Sequence, residues 1–269
     1  GQRDGYDVGS NRTFAPDSLL KTHPDGSISK LPWATSDSTL TFTRYASRSG
    51  SLRLGSTLTD GWRVDVSGET YRADDVQNPG DLSVTAYDSR SLKDIGRSSV
   101  DVSLSGTSGR HSPFARAFAA HEVIDYYAAP VPPTFVSFRT PVRTMGFQLQ
   151  DAIALGRYAL TTGVDFTATE SRSATYSEDG QRRAPFNPDV AIRSAAGFVQ
   201  ARTGLLDGRL AMTASIRLDN VIFDVLETPE LPDYPANTER HLVLTPSAGV
   251  RYTMAPGFQI YGNVGRGFV

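Results

Sequence analysis

Apolar and polar residues alternate with a period of two along much of the chain. The clearest run is 209–218. There Leu210, Met212, Ala214, Ile216 and Leu218 share one face, and Arg209, Ala211, Thr213, Ser215 and Arg217 share the other. A helix would spread those arginines around its circumference, whereas a strand gathers them on one side. In 242–254, Leu242, Leu244, Ala248, Val250, Tyr252 and Met254 oppose Thr245, Ser247, Gly249, Arg251 and Thr253. The segments 51–58, 62–71, 99–105 and 157–168 read the same way, and 114–127 and 192–206 alternate less cleanly. The pattern predicts about ten or eleven strands.

Turn signals punctuate this rhythm. Asp60-Gly61, Leu155-Gly156, Asp207-Gly208 and Pro256-Gly257 each separate two strands, and glycine supplies the positive φ that a tight hairpin demands. Between one tight hairpin and the next lie longer polar stretches at 74–96, 128–137, 171–190 and 225–240. The alternation of short turn and long loop is that of an outer-membrane barrel, with short periplasmic turns and long extracellular loops. The strands run about 10–14 residues, closer to the ~9–11 of a tilted membrane-spanning strand than to the ~5–6 of a globular one. The fold class read from this pattern is all-β, an antiparallel transmembrane β-barrel set against a soluble β domain, with residues 1–38 an irregular, loop-like segment and 39–269 a meander of hairpins; that the barrel is partial is what the resemblance described below implies.

Composition changes the picture little. The 269 residues carry a net charge of -2 with basic and acidic residues interspersed, which gives no footing to a nucleic-acid binder. There is no cysteine, hence no disulfide framework and no thiolate metal site. No run of ~18 apolar residues would form a spanning helix. The slightly negative mean hydropathy fits a soluble protein, but also a barrel whose every second residue is polar. Residues 1–12 are polar and glycine-rich, unlike a signal peptide, so the expectation is a mature chain, a trimmed chain or an internal fragment.

The stretch Gly257-Phe258-Gln259-Ile260-Tyr261-Gly262-Asn263-Val264-Gly265-Arg266-Gly267-Phe268 resembles a strand of TonB-dependent outer-membrane receptors. Thr245-Pro246-Ser247-Ala248-Gly249-Val250-Arg251-Tyr252 fits its partner strand. Gly197-Phe198-Val199-Gln200 and Ile216-Arg217-Leu218-Asp219 are also similar, with weaker support from Gly163-Val164-Asp165-Phe166 and Asn78-Pro79-Gly80-Asp81. The resemblance covers roughly residues 50–269. It implies about half of a barrel of about twenty-two strands whose lumen is closed by a plug domain, and nothing in 1–40 looks like that plug.

Candidate chemistry is sparse. His23, His111, His121 and His241 form no HxH or HExxH pair. His121, Glu122 and Asp125 read as a lumen or loop-base group rather than a metal or acid–base cluster. Asp74-Asp75 and Glu178-Asp179 read as solvated loop charge, not a calcium loop. Tyr126-Tyr127, near Pro130, Pro132 and Pro133, is either a ligand-contacting aromatic pair at a loop base or part of an interfacial girdle, the girdle being the commoner role. Trp62 and Tyr158, just after tight turns, fit the periplasmic girdle. Arg182-Arg183 is a candidate contact for an anionic ligand such as an iron chelate, against the commoner solvated pair. No catalytic residue, metal ligand or cofactor site is assigned.

The resemblance implies import of a scarce nutrient, of the iron–siderophore, haem or cobalamin class, across the bacterial outer membrane, without enzyme activity. Its partners would be outer-membrane lipid, the TonB complex reached through the plug, and a small-molecule ligand such as a metal chelate. The alternatives are a complete small outer-membrane barrel, pore or enzyme, whose first and last strands pair, and a secreted soluble β-rich binding module, whose apolar faces pack together.

Overall fold

The structure is a computed structural model that describes residues 43–78, 91–130 and 132–267, with the backbone of five short strands between Gln2 and Leu40. The rest of the segment 1–38, His23, the Pro79-Gly80-Asp81 part of one motif and Phe268 lie outside the described residues. Ten long strands dominate. They are β1 (Tyr45–Thr59), β2 (Trp62–Asn78), β3 (Ser91–Gly106), β4 (His111–Tyr127), β5 (Val136–Leu155), β6 (Tyr158–Ser171), β9 (Val190–Leu205), β10 (Leu210–Val225), β11 (Asn237–Ala255) and β12 (Phe258–Gly265). Two short strands, β7 (Ala174–Tyr176) and β8 (Arg182–Arg183), lie within the 171–190 connection.

Each long strand pairs antiparallel with the next in sequence, so the sheet is a meander from β1 to β12. Gln2–Arg3 adds to β1 at one edge. Tyr6–Asp7 pairs with Thr39–Leu40, and Leu20–Thr22 with Ile28–Lys30. Among the described residues none is helical, and the two edges of the sheet do not pair with each other. The sheet is therefore open, not a closed small barrel.

The four glycine turns fall where the sequence places them. Gly61 at φ +83° and Gly208 at φ +84° occupy a region that a side chain would strain. A fifth turn joins β3 to β4 through the Ser108–His111 bridge, with Gly109 at φ +59°. All five short turns lie at one end of the meander and the four long connections at the other.

Strands of up to 20 residues, as in β5, exceed what a bilayer needs. They overrun into the long-connection end: β2 reaches Asn78, β3 starts at Ser91, and β5 extends past β6 to pair with β7 through Phe138 and Thr175. The alternation fades there because both faces are polar, so these stretches read as loop.

Register sorts the side chains into two faces. Leu54, Val66, Val102, Ala117, Phe147 and Phe166 follow one another across β1 to β6 as direct partners. The band continues with Val199, Ile216 and Pro246 on β9 to β11. These residues remain open to the surroundings: Leu52 is 63% exposed and Leu242 71%. Among the described residues, the buried apolar set is only Ala73, Leu92, Ala174, Ala191 and Ala196. A soluble sandwich would bury this face. An apolar surface continuous over nine strands is stable only against lipid or another apolar phase. Trp62, Tyr158 and Tyr252 edge the apolar face at the short-turn end, where aromatic side chains suit a membrane interface.

Candidate functional site

The face opposite the apolar band is charged, and many of its charges are paired. Arg63 holds Asp65 through Nε and Nη2 at 2.7 and 2.8 Å, and Arg53 lies 3.6 Å from the same carboxylate. Arg116 on β4 binds Asp101 on β3. The most connected cation is Arg217 on β10. It binds Asp165 on β6 at 2.7 and 3.0 Å and Asp219 on its own strand at 2.9 and 3.0 Å. Strand β9 lies between β6 and β10, and its residue directly opposite both aspartates is Ala196. The small side chain lets the guanidinium cross above it, and Ala196 is 6% exposed as a result. Fixed, paired charge on a wet wall costs little and keeps the wall polar.

Aromatic rings also lie on this face. Phe118 crosses Gly146 and Phe198 crosses Gly163, each glycine being the direct cross-strand partner of the ring. Toward the long-connection end, a concavity of about 660 Å³ is lined by Glu69, Tyr71, Arg97 and Glu122, the last two bonded to each other.

The structure divides the Tyr126-Tyr127 pair. Tyr126 lies on the charged face. Its ring centroid is 5.9 Å from that of Phe138, Phe138 is 5.6 Å from Phe186, and Lys93 Nζ stands 5.8 Å above Tyr126. Tyr127 points to the opposite side and donates its hydroxyl to Asp94 at 2.8 Å. Beside it Arg139 grips Asp125 through two bonds of 2.6 and 2.7 Å.

Arg182 and Arg183 form β8, with Arg182 3.1 Å from Glu230. Arg183 pairs with Thr175, Thr175 with Phe138, and Phe138 with Tyr126. Tyr126 and Arg183 thus share one register row at the rim. Lys93, Phe138 and Phe186 join them without having been marked in the sequence. Phe186, between Pro185 and Asn187-Pro188, is 78% exposed, and a large aromatic in a polar proline-rich loop is the signal that would have found it. His121, Glu122 and Asp125 do not converge, because Glu122 faces the charged side and the other two the opposite side. Among the described residues no group of three or more acidic or histidine side chains could hold a metal ion.

Over residues 1–269 the chain matches the family model described as TonB dependent receptor-like, beta-barrel. No curated protein matches the sequence. Three solved structures show the likeness in fold. The copper transporter OprC is 14% identical with a TM-score of 0.64, over 84% of this chain and 37% of that one. The FrpB iron transporter of Neisseria meningitidis, F5-1 variant in apoprotein form, is 14% identical with a TM-score of 0.65, over 97% and 39%. The siderophore receptor PiuA of Acinetobacter baumannii is 11% identical with a TM-score of 0.59, over 82% and 42%. The chain spans about two fifths of the length of these proteins. With an open antiparallel meander, one apolar face and one charged face, it belongs to the β-barrel family of TonB-dependent receptors, proteins of the bacterial outer membrane.

Proposed function

We propose that the chain is a contiguous part of a longer outer-membrane receptor that imports a scarce nutrient, of the iron–siderophore, haem or cobalamin class, with energy delivered by TonB through a plug domain. The observation that carries this reading is the division of the sheet into a lipid-compatible face and a wall of paired charge, topped at one end only by long connections. Among the described residues the two edges of the sheet do not pair with each other, which supports a longer barrel, because an open strand edge is not tolerated in a membrane. Relatives named as copper, iron and siderophore transporters or receptors support the nutrient class.

In this reading the ligand meets the extracellular rim first. Tyr126, Phe138 and Phe186 offer ring faces and edges, Lys93 and Arg183 positive charge, and Arg182 a cation tethered to Glu230. Aromatic rings beside cations suit a flat or aromatic anionic chelate. Tyr127, turned away, holds the rim strands together. The charged wall then lines the passage, and no bond of the ligand needs to be made or broken there.

Uptake tests the reading. A host lacking the receptor gene, complemented with the full-length gene, is grown on ferric siderophores, haem, copper or cobalamin as limiting supplements, with and without functional TonB. Growth that requires both gene and TonB on one supplement is the expected result. Supplement-independent growth, or uptake that persists without TonB, overturns it.

A further inference from the structure

The apolar face does not end in neutral residues at the long-connection end. One register row there runs Thr70, Ser98, His121, Arg143, Glu170 across β2 to β6 as direct partners. The next row toward the short turns, two residues along each strand, is Gly68, Val100, Ala119, Met145 and Ala168. The step between the rows is about 7 Å. A polar trio of Ser98, His121 and Arg143 therefore stands directly above an apolar trio of Val100, Ala119 and Met145. Met145 is 58% exposed, so the lower trio is open to an acyl chain.

The charges around the trio are otherwise spoken for. Glu170 is bound by Arg172. On the same side, Arg72 binds Asp74, and Arg193 binds Asp224 at 2.6 Å. Asp224 also accepts from Thr238 and feels Arg240. Neither the Arg143 nor the His121 side chain has a hydrogen-bond or ion-pair partner among the described residues, and both are exposed. An arginine whose fork is empty at the edge of an apolar band, flanked by an imidazole and a hydroxyl on neighbouring strands about 4.8 Å apart, matches a tetrahedral oxyanion.

We propose that Ser98, His121 and Arg143 bind the phosphate of a lipid headgroup in the outer leaflet, with its acyl chains lying along Val100, Ala119, Met145 and Phe147. Charge complementarity selects the phosphate, and continuity with the apolar band makes the occupant a lipid rather than a soluble anion. The inference rests on the membrane placement of the barrel and on nothing at the rim or in the lumen.

Native mass spectrometry of the natural full-length chain in detergent tests it, with phosphatidic acid and diacylglycerol of identical acyl chains as probes. The expected result is preferential retention of phosphatidic acid. Arg143→Gln combined with His121→Gln weakens that preference about tenfold, while Arg209→Gln, which removes a positive charge at a short turn, leaves it intact. Equal retention of the two lipids, or an unchanged preference in the double variant, overturns the proposal. Displacement by equimolar inorganic phosphate also overturns it, since the site would then be one for free anions. Partition of the wild-type chain into detergent is recorded in the same samples. If it stays soluble without detergent, the membrane reading fails. If it partitions yet ignores the phosphate, the lipid site alone fails.

Discussion

The ring of Phe118 lies across Gly146, its direct partner on the neighbouring strand, so closely that a Cβ on the glycine would meet the ring at 2.7 Å and the Phe166 carbonyl oxygen at 2.5 Å. The glycine is a seat for the ring. Gly146→Val displaces Phe118 and pushes on backbone, with an expected loss of about 1–3 kcal/mol. Gly96→Ala, on β3 where nothing lies within 4 Å of the added carbon, stays within about 0.5 kcal/mol. Urea unfolding of the full-length protein in lipid vesicles measures both. Equal effects would mean that strand propensity, not the ring, sets the cost.

Arg217 joins two strands that do not touch. Arg217→Met leaves Asp165 and Asp219 facing each other across Ala196, with an expected destabilisation of about 1–3 kcal/mol, smaller than for a dry ion pair because the wall is wet. Asp165→Asn in the same chain restores part of the loss. A double-mutant cycle with coupling below about 0.5 kcal/mol would show the pair to be decorative.

How much of this was legible in the sequence depends on side-chain contrast. The β10 strand was plain because Leu210, Met212, Ile216 and Leu218 alternate with Arg217 and small polar residues. The apolar face of β4 is Ala115, Ala117 and Ala119, too small to stand out against Phe114 and Phe118 on the other side. The turn at Ser108-Gly109 carried a recognisable dipeptide, but the polar residues around it hid the strand ends. The rim was legible only in part. Tyr126 and Arg183 lie far apart in the chain, and only the registers of β4, β5, β7 and β8 bring them into line. That Arg217 reaches over Ala196 was equally hidden, because it depends on which strand lies between two others.

Phe186 is exposed yet touches Phe138 edge-on, 5.6 Å between centroids. A ring in this position contributes to ligand capture without holding the sheet. Phe186→Ala is expected to weaken binding of the transported chelate about fivefold or more and to leave stability within about 0.5 kcal/mol. Equilibrium binding and urea unfolding on one preparation separate the two. Unchanged binding would remove Phe186 from the ligand path.

The tip of the 171–190 connection is expected to respond to acid. The Ser177 hydroxyl and the Gln181 backbone N–H both donate to Asp179, at 2.5 and 3.3 Å, and hold its carboxyl below the ordinary value of 3.8. A depressed carboxyl stabilises the tip at all pH above that ordinary value, and the contribution disappears as pH falls through the lower, folded value. Amide exchange at Gln181, corrected for intrinsic rate, is expected to be flat above pH 5 and to rise below pH 4. Asp179→Asn removes the dependence. A tip that opens equally in both proteins would place the acid response elsewhere.

Phe147 and Gln148 are neighbours in sequence and face opposite media. Phe147 stacks on Phe166 at 5.8 Å within the apolar band, while Gln148 lies on the charged face opposite Arg116 and Asp165. An arginine on the lipid side near the bilayer midplane costs about 2–4 kcal/mol. On the wet side it costs little and gains a second cation's access to Asp165. Phe147→Arg is therefore expected to destabilise the vesicle-folded protein by about 2–4 kcal/mol, and Gln148→Arg to change its stability by less than about 1 kcal/mol. The contrast depends only on which face meets lipid. Equal costs at the two positions would mean that both faces are wet or both are dry, and the assignment of lumen and lipid would have to be abandoned; the opposite contrast would reverse it.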